Sequence, residues 1–169
     1  VTELPDAAFK NCSNFTEIIL PETLEVIYGA GLEGCSGLKS ITLPEGLKEI
    51  GNWGMYNCPN LAELTLPEGM TALGQYALSR CTALTTLTLP DSITTMRKGA
   101  LAECANLESV NYPKSLKETG EQIYYGCTKL KTITVAEGVT EFPDAAFKNC
   151  TSLEYTEHQN AYYLGNDTN

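Results

Sequence analysis

Seven cysteines set the ruler of this chain: Cys12, Cys35, Cys58, Cys81, Cys104, Cys127 and Cys150, each 23 residues from the next. A fixed period of that length marks a solenoid, whose single repeat cannot bury its apolar side without its neighbours. The other apolar residues keep the same register. Three positions after each cysteine come Phe15, Leu38, Leu61, Leu84, Leu107, Leu130 and Leu153. Six positions after come Ile18, Ile41, Leu64, Leu87, Val110 and Ile133, and eight after come Leu20, Leu43, Leu66, Leu89, Tyr112 and Val135. Pro21, Pro44, Pro67, Pro90 and Pro113 follow.

Each repeat divides into three parts. The first, L-x-x-I-x-I-P, alternates before its proline, which suits a strand with one buried face and a stop where the ladder N–H is missing. The second is a short L-x-x-I step, such as Leu47–Ile50, read as a brief extended segment. The third runs to the next cysteine, as in Gln75–Arg80, with Ala77, Ala100 and Ala146 inside it. Its small residues followed by Leu78, Leu101 or Phe147 predict one or two turns of helix. The expected fold is therefore an α/β solenoid, a right-handed superhelix of horseshoe shape. Its parallel sheet lies on the concave face, with strands roughly 5 Å apart, and short helical segments lie opposite. The array spans residues 1–158, and 159–169 form a tail or the start of a cap. The pattern weakens late, at Tyr112, Thr119, Ile123 and Ala136.

The stretch Leu61–Cys81 (LAELTLPEGMTALGQYALSRC) resembles the BspA-like, treponemal-type leucine-rich repeats nearly position for position. The resemblance extends from Val1 to about His158. It implies a leucine-rich-repeat solenoid in a cell-surface or secreted protein, with adhesin-like contact with host matrix proteins or other cells, and no catalytic residues. A structural spacer that displays another domain is the alternative. Residues 1–12 (VTELPDAAFKNC) and 139–150 (VTEFPDAAFKNC) differ only at Leu4 and Phe142, six periods apart. They point to a duplicated six-repeat block, and a start within a repeat leads us to expect further repeats or a cap upstream.

Composition narrows the partners. The formal charge of -10 disfavours nucleic acid and anionic membrane surfaces, both of which require clustered Lys and Arg. There is no C-x-x-C pair and only one histidine, His158, which argues against a zinc site. No cofactor, metal or small-molecule substrate is expected, and the partner that the resemblance implies is protein, a host extracellular-matrix or cell-surface macromolecule. Each cysteine is expected to fill a small buried slot. A row of turn carboxylates (Glu22, Glu45, Glu68, Asp91, Glu137) could recruit calcium but is interrupted by Lys114, and reads as solubilising.

Two surfaces are candidates for binding. The outward positions of the strand part are Glu17 and Ile19, Ser40 and Thr42, Glu63 and Thr65, Thr86 and Thr88, Ser109 and Asn111, and Thr132 and Thr134. They form a Thr/Ser ladder without the Tyr, Trp and Arg anchors of tight interfaces. The second surface is an aromatic patch on the third part: Trp53, Tyr56, Tyr76, Tyr124 and Tyr125.

Overall fold

The computed structural model describes residues 1–137 and 139–153, and the backbone pairing of 157–158 with 161–162. The chain winds into a stack of coils, one per 23-residue period. In chain order the strands are β1 Glu3–Leu4, β2 Val26–Ile27, β3 Ser40–Ile41, β4 Glu49–Ile50, β5 Glu63–Leu64, β6 Ala72–Leu73, β7 Thr86–Leu87, β8 Thr95–Met96, β9 Ser109–Tyr112, β10 Glu118–Thr119, β11 Thr132–Val135, β12 Glu157–His158 and β13 Ala161–Tyr162.

Every coil-to-coil pair is parallel and joins residues one period apart, as in Ile27 with Ile50 and Val110 with Ile133. The L-x-x-I step, expected only as a brief segment, carries the longest continuous ladder: β1-β2-β4-β6-β8-β10. The L-x-x-I-x-I-P strands form a second ladder that is interrupted. It comprises β3-β5 and β7-β9-β11, with a single bridge from Ile19 to Thr42. β12 and β13 leave the ruler and pair antiparallel. The rest of the tail lies outside the described residues.

The expected helices are absent: among the described residues the third part of each repeat is a run of turns. Residues 76–81 show why. Tyr76, Leu78 and Arg80 donate their N–H groups sideways to the carbonyls of Lys98, Ala100 and Ala102 in the next coil. Ala77, Ser79 and Cys81 donate back three residues, to Gly74, Tyr76 and Leu78. Alternate donors thus serve the neighbouring coil, and an i→i−4 helical ladder has nothing left to form from. Two left-handed residues per coil complete the exclusion. One row is Ala7, Ala30, Trp53, Tyr76, Gly99, Gln122 and Ala145; the other is Asn11, Gly34, Asn57, Arg80, Glu103, Gly126 and Asn149. Each occupies the third position of a tight turn, where positive φ is required and Gly or Asn is favoured. The molecule is therefore a parallel β-solenoid held by two strand ladders and one turn ladder, and not a helix-bearing horseshoe.

The core lies between the ladders in rows one period apart. Leu24, Leu47, Met70 and Ile93 form one fully buried row, and Ile27, Ile50, Leu73 and Met96 form another. At one of the late departures from the pattern, Tyr112, aromatic rings pack together. Thr119 replaces the isoleucine of its row and is exposed. Nearby, Phe142 meets Tyr112 and Phe147 edge-on at 5.1 and 5.0 Å, and Phe147 stacks on Tyr124 at 5.4 Å. Such pairs add about 0.5–1.5 kcal/mol each beyond the area they bury.

Candidate interaction surface

On the strand face Glu17, Ser40, Thr42, Glu63, Thr65, Thr86, Thr88, Thr132 and Thr134 are exposed, while Ser109 and Asn111 are half-buried. The alternation that buries Ile41, Leu87 and Val110 turns these side chains outward. Ile19 is 93% exposed at the head of the face. Asn111 differs from the rest. Its amide accepts from the Leu89 N–H and donates to the Leu89 carbonyl, both at 2.7 Å, so it brackets the preceding coil.

The aromatic patch is smaller than expected. Tyr124 is fully buried and drops out of it: three positions before Cys127, it belongs to the row of Leu32, Met55, Leu78 and Leu101. Its hydroxyl donates to the Asn111 carbonyl at 3.3 Å. Tyr125 is half-buried on the turn ladder, two coils or more from the other surface rings. Trp53 and Tyr76 do come together, with ring centroids 6.3 Å apart and planes 23° from parallel. Trp53 is 39% exposed. The Arg80 guanidinium lies 5.7 Å from the Tyr56 ring centroid and donates to Glu103 at 2.8 Å.

Charged side chains also keep the period. Lys10–Glu33, Arg80–Glu103, Lys98–Glu121, Asp91–Lys114 and Glu108–Lys131 each join equivalent positions of adjacent coils. Lys114, which interrupts the carboxylate row, thus neutralises its neighbour Asp91 at 2.6 Å. Among the described residues no group of three His, Cys, Asp or Glu is placed to hold a metal ion. The side chain of His158 lies outside the described residues.

The thiols are structural. Cys35, Cys58, Cys81, Cys104, Cys127 and Cys150 are buried, and each donates its S–H to a carbonyl of the coil before, at 3.1–3.3 Å. Cys12 is half-buried, and all seven are free thiols. Burial pushes Cys150 up to about 12. At Cys58 the hydrogen bond with Cys35 pulls downward, but the hydrogen bond with Cys81 and burial outweigh it and carry the thiol to about 12. Burial likewise raises Cys104 well above the ordinary thiol range. Groups held protonated this way are poor nucleophiles and poor metal ligands.

One feature of the surface was not read from the sequence. A groove of about 600 Å³ is lined by Gln75, Met96, Arg97, Lys98, Lys117, Glu118, Thr119 and Gly120. Its signal is a broken row: Gly51, Gly74, Arg97 and Gly120 occupy equivalent positions, and only Arg97 projects a side chain there.

A model of the BspA type leucine rich repeat region matches residues 2–129 and 56–168. The chain belongs to that family. This BspA-type repeat array is similar to the leucine-rich repeat protein TpLRR of T. pallidum, at 25% identity and TM-score 0.77 over 82% of this chain and 67% of that one. It is also similar to a leucine-rich repeat protein from Bacteroides ovatus, at 27% identity and TM-score 0.54 over 91% of this chain and 52% of that one. The pneumococcal vaccine antigen PcpA shares the fold, at 21% identity and TM-score 0.67 over 79% of this chain and 33% of that one. The chain thus spans about half the length of the second protein and a third of the third. No curated protein matches it. The BspA-type array is a leucine-rich-repeat solenoid, a module of the kind found in protein-binding surface proteins.

Proposed function

We propose that this array is the macromolecule-binding part of a cell-surface or secreted protein, making adhesin-like contact with host matrix or neighbouring cells through its strand face. The observation that carries the reading is the register of that face. Ser40, Glu63, Thr86, Ser109 and Thr132 stand one coil apart, as do Thr42, Thr65, Thr88, Asn111 and Thr134, and most are exposed. Such a face offers many small hydroxyl and carboxylate contacts and no deep anchor. Its affinity per contact is low, and repetition along the array supplies avidity.

The test is solid-phase capture of the protein on immobilised extracellular-matrix proteins. Replacing Thr65, Thr88 and Thr134 together by Lys leaves every buried row untouched and should reduce capture several-fold. Unchanged capture would remove the strand face from the proposal. Absence of capture by the unaltered array would reject the binding role in favour of a spacer.

A further inference from the structure

We propose that the groove at Arg97, Lys98 and Lys117 binds an acidic saccharide, a sugar chain carrying carboxylate or sulfate groups. The site is separate from the strand face: it borders β8 and β10 and the start of the turn ladder. In a chain of formal charge -10, three cations line one groove with one carboxylate, Glu118. Lys98 is already paired with Glu121 at 3.1 Å, so the charge the groove offers comes from the other two. Arg97 and Lys117 take part in none of the five inter-coil ion pairs found among the described residues. Their charge is left for an outside partner. Arg97 is exposed, and the equivalent positions in the coils on either side are Gly74 and Gly120, which carry no side chain.

Tyr76 adjoins this groove, and Trp53 lies behind it, one coil further away. Tyr76 follows the lining residue Gln75, its N–H donates to the Lys98 carbonyl at 2.9 Å, and Trp53 stacks on its ring. The ring lies over Gly99, where any Cβ would collide with it, so glycine at that position is what lets the tyrosine lie flat beside the cations. An open groove with Arg, Lys, Gln and Thr polar groups and a stacked aromatic pair beside it suits a sugar. The donors take hydroxyl and acid oxygens, and the exposed edge of the aromatic pair offers an apolar contact to the C–H groups of a pyranose. A peptide anchor would need a closed apolar pocket for a buried side chain, and this groove is open.

The experiment is a binding titration of the whole chain against three polymers of matched length, hyaluronan, chondroitin sulfate and neutral dextran, with poly-glutamate as a charge control. We expect saturable binding of at least one acidic polysaccharide that weakens with added salt, and none of dextran. Arg97→Ser with Lys117→Ser should weaken it at least ten-fold. Trp53→Asn with Tyr76→Asn, which keeps side chains tolerant of positive φ, should weaken it several-fold while the melting curve shows the fold retained. Binding that neither double variant changes overturns the proposal. So does the absence of binding to both acidic polymers. Equal binding of poly-glutamate, insensitive to the aromatic variant, overturns the saccharide assignment in favour of an acidic peptide.

Discussion

Replacing Gly99 or Gly126 by alanine gives opposite signs for a turn ladder and for a helix. In a helix interior Gly→Ala stabilises by about 0.5–1 kcal/mol. Here both glycines are left-handed, at φ 63° and 72°. An alanine held there costs about 1–2 kcal/mol, partly offset by the ~0.4–1 kcal/mol that alanine gains by restricting the unfolded chain. At Gly126 the new Cβ would sit 3.4 Å from the Glu103 side chain, an ordinary contact, so the net loss is about 1 kcal/mol. At Gly99 the Cβ would strike the Tyr76 ring, and displacing that ring adds about 1–3 kcal/mol, for a total near 3. With a urea slope of about 2 kcal/mol per M, the midpoints fall by about 0.5 M and about 1.5 M. In a Tyr76→Ala background the Gly99→Ala loss should shrink to about 1 kcal/mol, since only the backbone part remains. A midpoint that rises for either single variant refutes the left-handed turn. A Gly99→Ala loss that is the same with and without the tyrosine ring refutes the packing of Tyr76 over the glycine.

Three further outcomes follow from the coil-to-coil fastening. Titration of the native protein with a thiol reagent should label one cysteine rapidly, Cys12, and the other six only on unfolding; rapid labelling of Cys104 would contradict its burial. Cys58 and Cys150 have folded values near 12 against an ordinary 9, so the unfolded chain loses these protons first. Their contribution is complete below about pH 9 and fades as pH rises toward 12, so the melting temperature should fall across that window; a flat profile would contradict it. Asn111→Ala removes both hydrogen bonds to Leu89 and should cost about 1–3 kcal/mol in urea unfolding, whereas Thr88→Ala, an exposed neighbour on the same face, should change stability by less than about 0.5.

The period, the buried rows and the strand positions were legible because each depends on a residue type recurring at a fixed offset, and burial acts on all coils alike. The turn ladder was not. Ala77 and Leu78 before Cys81 have the composition of a helical turn, and their hydrogen bonds to the next coil leave no local trace. A usable clue was the residue before each cysteine. Asn11, Gly34, Asn57, Gly126 and Asn149 are the types that tolerate positive φ, but Arg80 and Glu103 conceal the pattern. Tyr124 was misplaced for a different reason. An aromatic type suggested surface, while its offset from Cys127 put it in the row of Leu78 and Leu101, and the offset was the better guide. The cationic groove was illegible because Arg97 and Lys117 are 20 residues apart in the chain and meet only across two coils.

The way the coils are fastened explains how one scaffold can carry two separate surfaces. Ladder bonds, thiol bonds and ion pairs all join a residue to one in an adjacent coil. Stability in such a stack is a sum of nearest-neighbour terms, so a change at one outward position affects its own coil and at most two others. The strand face and the Arg97 groove lie on different ladders, and the buried rows separate them. Arg97 therefore places a cation in the groove without involving a core residue or a residue of the strand face. The interrupted strand ladder fits the same logic. Where β5 and β7 do not pair, the adjoining coils remain joined by the β6-β8 pairing and by the sideways bonds of Tyr76, Leu78 and Arg80. One ladder can break locally because the other two hold the register.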